Sequence, residues 1–478
     1  MPVDTQHPEL RLAKPRYKLI RAIINNTAMS YIRKPEPEGM CDSYETDRNL
    51  QYREDAILTN FTNFTREGLT GLIFRKPLKL KLPKGMEYLE DNFTGAGINI
   101  YQASQHMASE TLQLGRYGLL VDFYEDGGKA YIKPYIAESI INWKTKQVDG
   151  VMKLSLIVLQ EKVIKDDKDE FAQDEVTQYR VLRLNNDNVY TYQMYNQAAQ
   201  AIGQEQQVTD YNGNPFDMIP FYFVGSENND TSVDKQPLYD LALINLGHYR
   251  NSADYEESIF INGQPYLVVD VGEASQEEFL AANPSGIAFG SRKVLVLASG
   301  GTAQLLQANP NQLVAQAMKE KLEQAAKVGA RLIESAGGRA TAEAAKRRYG
   351  SQHASLYTVA SNMSWGGADA IRAACVFMGT DPTQVEYELN SDFYEQTADA
   401  NLLAQQIMLL DRGIIAKDDI REYGRKTGFI EDNRTNEVLE AESEAELDPL
   451  EVDDDITRRA NQTSNTTTAS GENSGQED

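Results

Sequence analysis

Two helix-period stretches of similar length flank one short β-rich segment, and few folds accommodate that order. The first, PLYDLALINLGHYRNSADYEESIFI, begins at Pro237 and keeps a helical pattern for about 25 residues, about 40 Å at 1.5 Å per residue. The second, NPNQLVAQAMKEKLEQAAKVGARLIES, opens with Asn309 as N-cap and Pro310 at the first helical position. Val314, Met318, Leu322, Ala325 and Leu332 follow at helical spacing, and Gly337 supplies the stop. Between them lie a strand (QPYLVVDV), a helix (SQEEFLAA) and two more strands (GIAFG and KVLVLA). Two helices joined only through such a module most simply run antiparallel, as a stalk with the module at its tip.

The flanking sequence supplies a body for that stalk. YKLIRAIINNTAMSYI puts Leu19, Ile23 and Ile24 on one helical face before RKPEPEG stops it, and DAILTNFTNFTREGLTGLIF continues the helical pattern. From Pro83 to Gly225 short apolar or alternating runs replace it. GLLVDFYEDGGKAYIKPYI predicts a hairpin through an Asp-Gly-Gly turn, and KLSLIVLQEKV, TQYRVLRL, VYTYQMYN and MIPFYFVG predict further strands of an antiparallel sheet. A third long helix is expected over about residues 341 to 378. Its stripe is Tyr349, Leu356, Ala360, Met363, Ile371, Ala374 and Met378, with a bend at Gly366 and Gly367. A strand (QVEYEL) and two helices (TADANLLAQQIMLLDRG and AKDDIREYGRKTG) follow. From Glu437 onward the chain carries 13 acidic residues against two arginines and is expected to be disordered, because it cannot bury enough apolar surface. The fold class is α+β.

At 478 residues the chain exceeds one compact core and should divide into two to four units. Its 71 acidic against 47 basic residues give a net charge of -24, which repels nucleic acid and anionic membrane as a whole. No run approaches the length of about 18 apolar residues that a membrane span needs, and the N-terminus lacks a signal-peptide core, so a soluble intracellular product is expected. Cys41 and Cys375 read as reduced thiols. The histidines His7, His106, His248 and His353 show no metal-ligand spacing. The 25 tyrosines against 2 tryptophans suit half-buried surfaces of an assembly.

Catalytic patterns are missing or incomplete. GAGIN (Gly95 to Asn99) lacks the third glycine and the preceding strand of a dinucleotide fingerprint, and there is no Walker A motif. Ser351 and His353 sit inside a helix without a nucleophile elbow. Asp166 to Glu170 (DDKDE) has metal-binding residue types but reads as an exposed turn. No enzymatic activity, metal or cofactor is therefore expected. Lys319, Lys321, Lys327, Arg331, Arg339, Lys346, Arg347 and Arg348 concentrate positive charge in an acidic chain. They read as solvated helix faces with pairs such as Glu323 and Lys327, or as a girdle along a nucleic-acid path.

Five stretches in order carry a resemblance: LGRYGLLVDF (Leu114 to Phe123), YIAESIINW (Tyr135 to Trp143), IPFYFVG (Ile219 to Gly225), PLYDLALINLGHYRNSADYEESIFINGQPYLVV (Pro237 to Val269) and TAEAAKRRYGSQHASLYTVASNMSWG (Thr341 to Gly366). The chain resembles the portal proteins of tailed bacteriophages, in a branch first catalogued as a domain of unknown function, over most of its length up to about residue 435. The resemblance implies a ring, usually of twelve subunits, at one capsid vertex, a head-tail connector through which double-stranded DNA is packaged and ejected.

Mapped on this chain, the resemblance implies a mixed α/β wing (1–235), a first stem helix (236–262), a small αβ clip (263–308), a second stem helix (309–336) antiparallel to the first, a tunnel-loop-like turn (337–341), a wing helix and strand (342–393), a helical crown (394–435) and a disordered acidic tail (436–478). Gly337, Gly338, Arg339 and Ala340 would form the tunnel loop, and Lys319, Lys321, Lys327 and Arg331 would be channel-facing stem charges. The implied partners are further copies of the chain, DNA passing non-specifically, the major capsid protein, the terminase large subunit and a head-completion adaptor, with no membrane and no cofactor. The implied location is the portal vertex of the virion, and the host cytoplasm during assembly. Two alternatives from other classes are a phage DNA-processing, metal-dependent nuclease and a monomeric capsid-binding scaffold or adaptor.

Overall fold

The fold begins with capped helices whose ends the local sequence fixes. A computed structural model describes residues 2–33, 43–124, 128–164, 171, 173–263, 266–273, 275–284, 296–297, 299–306, 312–328, 342–391, 393, 400–426, 428–430 and 434–447. Helix α1 (Pro8–Ile24) starts where the His7 side chain accepts a hydrogen bond from the Glu9 N–H, with Pro8 at the first helical position. Helices α2 (Ser43–Glu54) and α3 (Phe61–Ile73) follow, the second capped by Asn60, which accepts from the Asn63 N–H at 3.0 Å. Strand β1 (Lys79–Lys81), helix α4 (Tyr88–Asp91) and helix α5 (Ile100–Leu114) come next. The strand-like stretch after Pro83 thus contains a helix. Asn99 caps α5, Gly115 ends it at φ 73°, and Ile100, Ala103, Met107, Ala108 and Leu112 bury its inner face.

Two antiparallel sheets form the body. Strands β2 (Arg116–Phe123) and β3 (Ala130–Ile136) make the expected hairpin, from Tyr117 opposite Ile136 to Phe123 opposite Ala130. Strands β4 (Ile140–Val148), β5 (Val151–Ile164), β6 (Glu175–Leu184), β7 (Tyr190–Tyr195) and β8 (Ala201–Gln207) form a five-stranded meander in sequence order. The sequence reading omitted β4 and β8. Asp149 and Gly150, at φ 51° and 81°, turn β4 into β5 as a two-residue loop of the type that matches strand twist. Strand β9 (Phe221–Gly225) returns to pair with β2, giving the order β3-β2-β9.

Helix α6 (Tyr239–Asn262) leads to strand β10 (Tyr266–Asp270), helix α7 (Gln276–Ala282), strand β11 (Thr302–Leu306) and helix α8 (Gln312–Val328). A Ser275–Glu278 capping box opens α7. The partner of β10 is β11, with Tyr266 opposite Leu306, a strand the apolar pattern does not flag. GIAFG lies outside the described residues, as do Val294, Leu295 and Ala298 of KVLVLA, whose Val296 and Leu297 are not in a strand. Helix α9 (Ala342–Met378) packs on both β9 and β2, burying Leu356, Ala360, Met363, Ile371 and Ala374. Strand β12 (Glu386–Glu388) pairs with β1, Tyr387 opposite Leu80.

Gly366 and Gly367 serve close approach. A Cβ at Gly366 would stand 2.6 Å from Val224, and one at Gly367 2.4 Å from the Tyr387 ring. That ring is buried and its hydroxyl bonds Ser104 at 2.6 Å.

The chain divides into a unit of Met1–Phe393 and a unit of Tyr394–Asp478. In the second, helices α10 (Ala400–Asp411), α11 (Lys417–Lys426) and α12 (Asn436–Leu447) are described. The expectation of disorder from residue 436 is therefore corrected over Asn436–Leu447. Its acidic side chains have cations waiting in the preceding segment, with Arg421 bonding Glu440 at 2.9 Å and Arg434 pairing with Glu442. Residues 448–478 lie outside the described set.

Gly367→Ala should lower unfolding free energy by about 1–3 kcal/mol, as overpacking does. Gly71→Ala, in α3 with nothing within 4 Å of the added Cβ, should leave it unchanged or raise it by up to about 1 kcal/mol. Chemical denaturation of both variants checks the contrast.

Candidate functional site

Helices α6 and α8 pack against each other, and the residues that meet fix their direction. Strand β10 continues α6 and β11 precedes α8, and these two strands pair antiparallel. Further down, Gly247 of α6 faces Lys321 of α8. Moving back from Tyr266 to Gly247 thus corresponds to moving forward from Leu306 to Lys321, so the helices form an antiparallel hairpin with the strand pair at its far end.

The seam of α8 differs from the stripe read in the sequence. Val314, Met318 and Lys321 are half-buried and Ala325 is buried, whereas Leu322 is 43% exposed. Steps of four, three and four residues between these positions are the spacing of two helices that stay in contact along their length. Lys321 takes the slot that the apolar pattern gives to Leu322. Its stem crosses Gly247, where a Cβ would come within 2.8 Å of it. With its amide oriented to satisfy both groups, Asn251 accepts from Lys321 Nζ at 2.9 Å and donates to the Gly247 carbonyl at 3.3 Å. Next to it, His248 is buried with the edge of Phe61 against it, ring centroids 5.9 Å apart. Burial, and secondarily the Lys321 charge, hold the His248 imidazole below its usual value of 6.5.

The other proposed stem charges sit differently. Lys319 and Lys327 are exposed, as are Glu320 and Glu323 on the same helix, so the described outer surface of α8 is charge-balanced. Arg331, Asn309, Pro310 and the turn residues Gly337, Gly338, Arg339 and Ala340 lie outside the described residues. Among the described residues no cluster of His, Cys, Asp or Glu could hold a metal ion, and no helix is long and apolar enough to cross a membrane. Asp166 to Glu170 and Cys41 lie outside the described set, and Ser351 and His353 lie within α9. Gly95 and Gly97, both at positive φ, belong to the turn that leads into α5.

The inner half of α6 is anchored to the N-terminal helices. Asn245 accepts from the Thr62 N–H and donates to the Thr59 carbonyl at 2.9 Å, Tyr52 donates to Asp254 at 2.6 Å, and Arg48 pairs with Glu257 at 2.8 Å. The loop into α6 is held by Arg116, which sequence reasoning missed although it interrupts an apolar run. It is 3% exposed, lies 4.3 Å from the Trp143 ring centroid and 4.2 Å from that of Phe223, and donates to the carbonyls of Thr231 and Ser232. Burial pulls its pKa down to about 10. Asp234 accepts from the N–H groups of Glu227 and Asn228 and closes the same loop.

The depressed imidazole gives a pH test. The folded state binds fewer protons at His248 than the unfolded state, so its contribution is complete above about pH 6.5 and declines as pH falls below it. The protection of α8 amides against hydrogen exchange, taken relative to the intrinsic rate at each pH, should fall as pH is lowered from about 7.5 to about 5.5. His248→Phe should flatten that dependence, and an unchanged profile would exclude His248 as its source.

The chain is similar to several solved structures. One is the neck of an empty gene transfer agent particle computed with C6 symmetry, at 14% identity, covering 79% of this chain and 93% of that chain with a TM-score of 0.42. Another is the virion of a native gene transfer agent particle, at 15% identity, 84% and 98% coverage and a TM-score of 0.41. A third is an HK97 family phage portal protein from Corynebacterium diphtheriae, at 12% identity, 70% and 96% coverage and a TM-score of 0.32. No curated protein matches the chain in sequence. Residues 237–378, from just before α6 to the last residue of α9, match the family described as a domain of unknown function (DUF4055).

Proposed function

We propose that this chain is a phage portal subunit, which assembles as a ring, about twelve-fold, and conducts double-stranded DNA through its centre during packaging and ejection. The observation that carries the reading is the antiparallel α6–α8 hairpin, inserted between β9 and α9 and bearing the β10–β11 pair at its far end. Side-by-side copies of such a hairpin make the wall of a channel, and the body supplies the outer mass. In this reading the strand pair is the surface that meets the terminase large subunit and later a head-completion adaptor, while the body meets the major capsid protein. The location is the portal vertex of the virion, after assembly in the host cytoplasm.

The charge balance suits conduction. DNA carries one charge per about 1.7 Å of axis, and a protein making about 6–10 phosphate contacts binds it strongly at low salt. A ring of unpaired lysines facing inward would act as a brake. The exposed charges of α8 are two lysines and two glutamates, Lys319, Glu320, Glu323 and Lys327, and Lys321 is engaged by Asn251. Positive charge aimed at DNA is then left to the Gly337–Ala340 turn, where Arg339 would centre or hold the duplex.

Light scattering of the purified full chain should give a mass near twelve times 53.5 kDa, or a neighbouring ring number, and negative-stain images should show annuli. A lone subunit under assembly conditions would sink the reading. Arg339→Ala should change genome retention or packaging yield, and normal values for both would remove Arg339 from the channel role.

A further inference from the structure

The unit Tyr394–Asp478 shows no core of its own. Among its described residues no apolar side chain is buried, and Leu403, Leu409 and Leu410 of α10 are covered only in part. Its strongest internal joins are polar, with Arg421 on Glu440 and Arg425 donating to the Arg434 carbonyl at 3.1 Å. The described helices occupy Ala400–Leu447, and at that size a fold is completed by disulfides, a metal or association. The unit contains no cysteine, and no cluster among the described residues could hold a metal. Association remains.

We infer that α10 packs through Ala404, Ile407 and Met408 on the same unit of a second copy, so that the C-terminal helical units complete one another's core. These three residues share one side of the helix at steps of three and four, with Ile407 45% and Met408 57% exposed, while Leu403 and Leu410 lie on the half-covered side. A helix that is apolar all round is a buried helix, and α10 is open on one side. Charge selects a copy as the occupant. Chains of net charge -24 repel one another, but α10 holds no charged residue from Ala400 to Leu410, so two copies can meet there without opposing like charges. Ile414 and Phe429, also exposed, add apolar surface in the same unit. The inference rests on the ring reading only for the presence of a neighbour.

The test places a photo-reactive benzophenone amino acid at position 408 of the full chain, mixes light and nitrogen-15 copies before assembly, and irradiates the product. Expected are light–heavy peptide pairs linking position 408 to residues 400–447 of another copy. Ile407→Glu should lower their yield several-fold. In the chain without the photo-reactive group, the same substitution should speed hydrogen exchange of α10 amides several-fold and leave the amides of β2 and β3 unchanged, which shows that the body stays folded. A multi-subunit mass without such links, or with links only inside one copy or only to residues 1–393, overturns this inference and leaves the ring reading standing. Unchanged α10 exchange in Ile407→Glu also overturns it, because the unit then holds itself together. A lone-subunit mass under assembly conditions overturns both.

Discussion

A 24-residue helix such as α6 cannot stand on propensity alone once it leaves its body, because isolated helices are marginal in water and gain their stability by burying a face. Helix α8 supplies that burial, and the contact at Gly247 sets how close the two axes come. A side chain there would collide with Lys321, whose aliphatic stem covers the helix backbone while its ammonium finds Asn251. A polar residue within a helix seam favours one register over its neighbours. The lysine thus fixes which turn of α8 faces which turn of α6, and the β10–β11 register follows from it.

The hairpin is rigid only if its root is, and buried ion pairs join the layers beneath it. Arg180 of β6 pairs with Asp122 of β2, so a strand of the five-stranded sheet is tied to one of the three-stranded sheet. Glu161 of β5 accepts from Lys133 of β3 at 2.9 Å and from Tyr135. Burial pushes the Glu161 carboxyl up, but Lys133 and the Tyr135 hydroxyl outweigh it and hold it below the ordinary value. Arg21 of α1 bonds Glu110 of α5 and reaches Glu138 at 2.8 Å. Such pairs add little net stability over apolar packing, but a charge left alone after its partner is removed is costly. They make the arrangement of layers specific, and Arg116 extends the same joinery to the loop that launches α6.

Periodicity made the long elements legible. The α6, α8 and α9 patterns were visible because their apolar residues recur at helical spacing, and the β2–β3 hairpin because a glycine turn separates two apolar runs. Strand β4 was missed although VDGV contains the Asp-Gly pair that its turn requires, and β8 was missed because all of its residues are exposed and leave no alternation to read. Helix α5 was hidden by a stretch judged from its strand-like neighbours, despite the Asn99 cap. At the site, Val314, Met318 and Ala325 were assigned correctly to the inner face. Lys321 was not, because binary patterning gives an apolar neighbour the inward slot whenever a lysine stem could fill it equally well. An isolated glycine in a helix pattern, Gly247, was the available signal of close approach.

Several buried charges among the described residues join one element to another. Arg21, Lys133 and Arg180 each reach a carboxylate on another element, and Arg116 is closed in by carbonyls and rings. His248 differs from these, a buried imidazole whose Nδ1 has no partner among the described residues, and it lies in the α6–α8 seam facing Lys321. A neutral ring there packs against Phe61, while a protonated one would place two positive charges in one low-dielectric seam. That position makes the α6–α8 contact sensitive to acid through one side chain.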